Sequence, residues 1–410
     1  MLGKKLFLNK LTEQNNIKSI EINSTEFEGS SPSVFVGRDN YPNVNVGPML
    51  SKDFESSVYD TPEAWLGNFK RDDIKKSDRT DSDFRMLRNA ISGEEGFKLS
   101  ISDIINFRLN LLRGKRRMSV HDISNSFAFR MQEIALAKKS VHAQAEFNSI
   151  PRGKTFSEDH QPFGPSAGLK QLEIDNAMWQ RDFEKAYYDA DLLSRDAVIN
   201  LHRKNFGFTA IQKALSVGAF GKEKNRKLVP TRWSITATDD MLGKNAMTDV
   251  RQNEVIKDYR VYESEGLSNY FSILMTPTKW QYEAIEAFIN IIGNETHKFG
   301  DFERYSGRAK YSEMGGCYYA QRFAISDFLK KQNNQAGAFV FREVYKGYVP
   351  TGVWICRELT RRALSSEPKS FKSMKEALNY INSKTSLGVK ELGKDMPLLQ
   401  QNRHSLSNYF

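Results

Sequence analysis

Cysteine is nearly absent from this sequence: Cys317 and Cys356 are the only two among 410 residues. Two thiols cannot supply a disulfide framework or a four-cysteine zinc site within one chain, and their scarcity points to a reducing, intracellular setting. Histidine is sparse as well, six in all and scattered. No H-E-x-x-H pair occurs, and the two cysteines lack a zinc-ligand spacing, so no metal site is read from these residues. Long apolar runs are missing too. The best of them, "YFSILM", falls far short of the roughly 20 residues that span a bilayer, and no membrane partner is expected. The opening "MLGKKLFLNK" is positively charged, but Lys10 interrupts an apolar stretch too short for a signal peptide.

What the chain does have is positive charge and aromatic side chains. Its 60 Lys and Arg against 50 Asp and Glu give a formal net charge of +10, which suits nucleic-acid or other anionic partners. A hydrophobic share of 39% with 12% aromatics is that of a chain that folds. The length exceeds what one hydrophobic core usually serves, so two domains, or one large domain with appendages, are expected.

Periodicity gives a mixed α+β fold class of undetermined topology, without repeats or heptads. "GSSPSVFVGRDNYPNVNVGPML" reads as short strands joined by turns. "SISDIINFRLNLLRGKRR" reads as a helix capped by Ser102, with Ile104, Ile105, Leu109 and Leu112 on one face and Gly114 as its stop. "RWSITATDD" and "YRVYES" read as strands, with a helix over "MLGKNAMTDVRQ" between them. "MGGCYYAQRFAISDFLKK" is a glycine turn opening a helix, and "GAFVFREVYKG" is a strand. "SFKSMKEALNYI" is a last helix capped by Ser370, and residues 382–403 show no period and read as a tether.

Three basic clusters follow: Arg113, Arg116 and Arg117 in "RGKRR"; Lys222, Lys224, Arg226 and Lys227 in "KEKNRK"; and "RELTRR" from Arg357 to Arg362. Clustered cations neutralise phosphates and release counterions, which is the source of most sequence-independent DNA affinity; a solvated surface is the alternative. Gly315 and Gly316 open a helix whose free amides suit an anion. Asp239 and Asp240, at the end of an expected strand, are candidate Mg²⁺ ligands, with one of them capping the next helix as the alternative. Arg342 and Glu343 interrupt an apolar strand, which a structural ion pair or a ligand-gripping role would explain. With Arg232 they complete a candidate catalytic set, for which Mg²⁺ would be the cofactor. The final "RHSLSNYF" presents Leu406, Tyr409 and Phe410 as a three-pronged plug, for its own domain or for a partner.

Taken in order, "GSSPSVFVGRDNYPNVNVGPM", "TPEAWLG", "GPSAGLKQLEI", "RKLVPTRWSITATDD", "RAKYSEMGGCYYAQR" and "FREVYKGYVPTGVW" resemble the Nre family of archaeal DNA repair proteins. The likeness runs from about Ser24 to Arg362. It implies an extension over residues 1–23, an N-terminal region over 24–285, a C-terminal region over 286–385 and a tail over 386–410. It also implies a role in DNA damage repair, in the cytoplasm and on the nucleoid. A sliding clamp of the PCNA type would be contacted through a peptide of glutamine, two spacers, an aliphatic residue, two spacers and an aromatic pair. Leu406, Tyr409 and Phe410 fill the hydrophobic positions, and Arg403 stands where the glutamine is usual. The four-cysteine zinc finger that many relatives carry at the amino terminus has no counterpart here. The expectation is a clamp-recruited repair factor that touches DNA through basic surface. The alternatives are a Mg²⁺-dependent enzyme acting on nucleotides or nucleic-acid ends, and a scaffold that does no chemistry.

Overall fold

The computed structural model describes residues 20–54, 56–66, 100–153, 155–157, 160–291 and 294–407. The chain forms two compact units, residues 1–241 with 350–352, and residues 242–349 with 353–410. Helices and strands are mixed in both, as the periodicity predicts.

The first unit is built on a closed barrel of β1 (Glu26–Val36), β2 (Asn43–Ser51), β3 (Leu112–Ser119), β4 (Val141–Phe147) and β5 (Ser166–Ile174). Around the barrel the order is β1-β2-β3-β5-β4, and β4 pairs with β1 to close it. Only the β3–β5 pair is parallel. At the start of β2 the faces alternate, with Val44 and Val46 buried and Asn43 and Asn45 exposed, and from Val46 onward every position is buried. Gly47 is required by close approach, since a Cβ there would lie 1.6 Å from the carbonyl oxygen of Gly114 on β3. Between β3 and β4 the chain makes α2 (Ser126–Leu136), which Asn125 caps by accepting from the Ala128 amide and which packs against β1 and β2. Five strands in this Greek-key order with a helix in that connection are the topology of an OB-type barrel. α1 (Ile101–Leu109) lies between β2 and β3, and α3 (Arg181–Tyr188), α4 (Ser194–Arg203) and α5 (Phe208–Ser216) follow β5.

The helix expected across "SISDIINFRLNLLRGKRR" is shorter than its sequence reading. Ser100, not Ser102, caps it in a reciprocal capping box with Asp103, and it ends at Leu109. The basic residues then run out as strand β3, where buried neighbours on both sides outweigh their helix propensity. "RWSITATDD" is also corrected. It lies inside the 20-residue helix α6 (Thr231–Val250), which continues through the predicted "MLGKNAMTDVRQ" segment to Val250.

The second unit is a six-stranded sheet of β6 (Tyr259–Gly266), β7 (Asn269–Thr276), β8 (Gln281–Ile289), β9 (Thr296–Glu303), β10 (Gly337–Val344) and β11 (Lys369–Phe371). Its order is β9-β8-β10-β7-β6-β11, with β8 and β10 parallel. Helices α7 (Gly316–Lys331) and α8 (Trp354–Leu364) cover one face, and α9 (Met374–Lys384) the other. Central β10 is buried at all eight positions because helices lie on both of its sides. Ser373 caps α9, in place of the expected Ser370.

Most of the stretch expected to be a tether is folded. Val389, Leu392, Met396, Leu398 and Leu399 join the core formed by Phe339, Phe341 and Ile285. α10 (Pro397–Ser407) starts on Glu283, whose two carboxylate oxygens accept from the amides of Leu398 and Leu399.

Candidate nucleic-acid interface

The strand spacing of "RGKRR" decides which of its cations act together. Side chains alternate on a strand, so Arg113, Lys115 and Arg117 share one face of β3, about 6.6 Å apart. Register with β2 places Asn43 opposite Ser119 and Asn45 opposite Arg117, on that same outward face. Arg113 is the anchor of this row. It is buried, and its guanidinium lies 4.1 Å from the ring centre of Phe163 and 5.6 Å from that of Phe35. Burial pushes Arg113 down to about 10. Lys115 is also lowered, first by burial and then by the Arg113 charge beside it. The Lys115 shift records a half-buried cation beside another cation, which an approaching anion would relieve. Arg117 is exposed; Arg116, on the opposite face, stacks over Phe127 at the start of α2 at 4.9 Å.

The end of β3 gathers two further pieces. The Val120 amide donates to the Pro42 carbonyl, and the Val120 carbonyl accepts from the Leu228 amide. The first bond holds the β1–β2 loop, with Tyr41, at the end of the basic row. The second holds the loop that carries Lys222, Lys224 and Lys227, all exposed. Arg226 is committed elsewhere: it donates to the carbonyls of Gly221 and Asp189 and packs over Tyr187, so it braces the loop. Tyr41, 41% exposed, meets Trp233 of α6, 45% exposed, with ring centres 5.0 Å apart. The two rings together make a small exposed aromatic patch.

The first unit thus unites two of the three predicted basic clusters and adds Lys115, Asn43, Asn45, Tyr41 and Trp233, which the sequence reading missed. Alternation within "RGKRR" was the available signal for Lys115. The Tyr41–Trp233 pair had none, since nearly two hundred positions separate them.

The remaining predicted residues fall differently. Asp239 is buried and Asp240 half-buried in the middle of α6, where neighbours diverge by about 100° around the axis. Arg232 is exposed near the start of that helix. In the second unit Arg342 and Glu343 lie on opposite faces of β10. Arg342 donates to Glu286 at 2.7 Å and through two nitrogens to Asn269 at 2.6 and 2.9 Å. Glu343 accepts from the amides of Ser386 and Leu387 and from the Tyr345 hydroxyl. Both strand charges therefore have structural partners. Arg357 and Arg361 both pair with Glu358, which makes "RELTRR" largely an internal ion network. Gly315, at φ +66°, caps α7, and Gly316 begins it. Arg403 and Leu406 belong to α10, while Tyr409 and Phe410 lie outside the described residues. Among the described residues, no helix is long and apolar enough to cross a membrane.

The chain is similar to known proteins over most of its length. Residues 4–81 and 82–291 match the family described as archaeal Nre, N-terminal, and residues 303–409 match archaeal Nre, C-terminal. It is 33% identical to DNA repair protein NreB of Archaeoglobus fulgidus, covering 88% of this chain and 85% of that protein. It is 29% identical to DNA repair protein NreA of the same organism, over 96% and 92% of the two chains. Identity to DNA repair protein NreA of Haloferax volcanii is 29%, over 89% and 84%. No solved structure matches the chain. With both family regions matched in order and relatives aligned across their own lengths, the chain belongs to the archaeal Nre family.

Proposed function

We propose that this protein is a DNA repair factor whose barrel binds single-stranded DNA along the β2–β3 face. Its relatives carry the name of DNA repair proteins. The observation that carries the reading is the row Arg113, Lys115, Arg117 on the outer face of an OB-type barrel, ending at two exposed aromatics. That face and its bordering loops are where OB barrels take oligonucleotides. Lys115 and Arg117 offer their cations to backbone phosphates, with Arg113 buried at the inner end of the row, and the released counterions make binding steeply salt-dependent. Tyr41 and Trp233 offer π-faces to bases without regard to sequence, and Asn43 and Asn45 supply donors and acceptors beside them.

Recruitment to DNA is through the sliding clamp in this reading, by way of Arg403, Leu406, Tyr409 and Phe410. With arginine at the glutamine position one polar anchor is lost, so the contact is weaker than that of a complete motif.

Fluorescence anisotropy with labelled single- and double-stranded oligonucleotides tests the DNA contact. Tyr41→Ala and Trp233→Ala should each weaken single-strand binding by about 1–3 kcal/mol, roughly fivefold to a hundredfold or more, with little effect on duplex binding. Equal losses on both substrates would replace base stacking with plain electrostatic attraction. Unchanged affinity would move the DNA site off this face.

A further inference from the structure

The two cysteines, 39 positions apart in sequence, meet in the second unit. Cys317 is the second residue of α7 and Cys356 the third of α8, and the two helices pack side by side. Glu286 reaches them from β8 across the face of the sheet that these helices cover. The two sulfurs and a Glu286 oxygen all lie within 4.8 Å of one another, and Cys356 Sγ is 3.8 Å from Glu286 Oε1.

We propose that Cys317, Cys356 and Glu286 form a binding site for one thiophilic dication, Zn²⁺ in the first instance. Bond lengths of about 2.3 Å to sulfur and 2.0–2.2 Å to oxygen at tetrahedral angles require donor atoms about 3.6–3.8 Å apart. The Cys356–Glu286 edge, at 3.8 Å, lies near that spacing, and the other two, each within 4.8 Å, need at most about 1.2 Å of closure. Two sulfurs and one carboxylate select a borderline-soft ion over Mg²⁺ or Ca²⁺. Charge also balances. Glu286 and Arg342 already cancel as an ion pair at 2.7 Å, and one dication replacing two thiol protons leaves the site neutral.

The surroundings have the features of a metal site's outer layer. Arg342 Nη1 fixes the same Glu286 oxygen that faces Cys356, and it lies 3.9 Å from Cys317 Sγ. Asn269 in turn holds Arg342 through two hydrogen bonds. Gln321, one turn along α7 from Cys317, is 3.5 Å from the same Glu286 oxygen. Such hydrogen bonds orient a ligating carboxylate before the ion arrives. Cys356 and Glu286 are buried, whereas Cys317 is only half-buried and provides the way in. Three protein donors leave a fourth position for water or a substrate atom, the pattern of catalytic rather than closed structural zinc sites.

The test uses the full chain, reduced and stripped of metal, then titrated with Co²⁺ as a spectroscopic stand-in and with Zn²⁺ in competition. One equivalent of Co²⁺ should give a thiolate-to-cobalt charge-transfer band with tetrahedral ligand-field bands, and Zn²⁺ should abolish both. Cys317→Ser and Cys356→Ser should each lose about half of the charge-transfer intensity, and the double variant all of it. Arg342→Gln should keep the band while weakening affinity about 10- to 100-fold. Alkylation of the wild type, read by mass spectrometry, covers the case in which a serine variant does not fold: Zn²⁺ should protect the half-buried Cys317. Absence of a charge-transfer band in the reduced wild type would overturn the site. So would a band that persists in the double variant, or protection that follows a Cys317–Cys356 disulfide independently of metal.

Discussion

Charges inside the second unit are arranged so that each carboxylate is met by several donors. Glu303 accepts from Arg322 at 2.9 Å, from the Tyr318 hydroxyl and from the Trp280 indole, and both Glu303 and Arg322 are about 1% exposed. Removing one partner of such a pair strands the other in low dielectric, so Arg322→Met should destabilise the protein by about 3–5 kcal/mol. Replacing both, with Arg322→Met and Glu303→Leu, should recover much of that loss, because no uncompensated charge remains. Urea unfolding midpoints of the three variants check this. A double variant as unstable as the single would show that the hydrogen bonds matter more than the charge. At this scale the sequence was informative about the kind of residue but not its partner. Arg342 inside an apolar strand called for a counter-charge, and Glu286, its register neighbour on β8, supplies it. No spacing in the sequence links 286 to 342, and none links Cys317 to Cys356, because sheet order and helix packing bring them together.

Among the elements, α10 shows how packing settles what periodicity leaves blank. Residues from 382 onward have no amphipathic stripe, yet Leu398 and Leu399 are buried at its start, next to Met396. Glu283 holds that start by accepting from two α10 amides, and burial pushes its carboxyl up to about 7 in spite of them. The sign follows from proton counting. Between the ordinary carboxylate value of 4.5 and about 7 the folded state holds a proton that the unfolded chain has released. Stability contributed by this group is therefore greatest below 4.5 and falls as pH rises to 7, by about 3 kcal/mol at most. Glu283→Gln should flatten that part of the profile, measured as melting temperature against pH. A slope equal to that of the wild type would assign it to other groups. Helix α6 teaches the complementary lesson. Ile235, Thr236 and Thr238 suggested a strand, but Ser234, Thr238, Leu242 and Ala246 are buried at every fourth position, and Pro230 precedes the first turn. The helical spacing is present in the sequence, but it shows only over about four turns, from Ser234 to Ala246, whereas the β-branched side chains cluster within the first two.

In the molecule as a whole, the proposed reading gives two contacts, a basic barrel face for DNA and a terminal peptide for the clamp, and simultaneous engagement would raise the effective concentration of each. Tyr409→Ala with Phe410→Ala should abolish binding to the cognate clamp by calorimetry and leave bare-DNA affinity unchanged. Equal clamp affinity in this variant and the wild type would mean that the aromatics pack elsewhere.

In the proposed reading, contact with the phosphates falls to β3 and the loop tied to it by Val120. It is tested most directly by the salt dependence of single-strand binding in Lys115→Ala, Arg117→Ala, Lys227→Ala. Each single-strand phosphate contact contributes about 0.7 to the slope of log K against log salt, so the triple variant should lose about 2 from the slope while its melting temperature stays that of the wild type. A slope identical to that of the wild type would place the DNA on another surface and contradict the account.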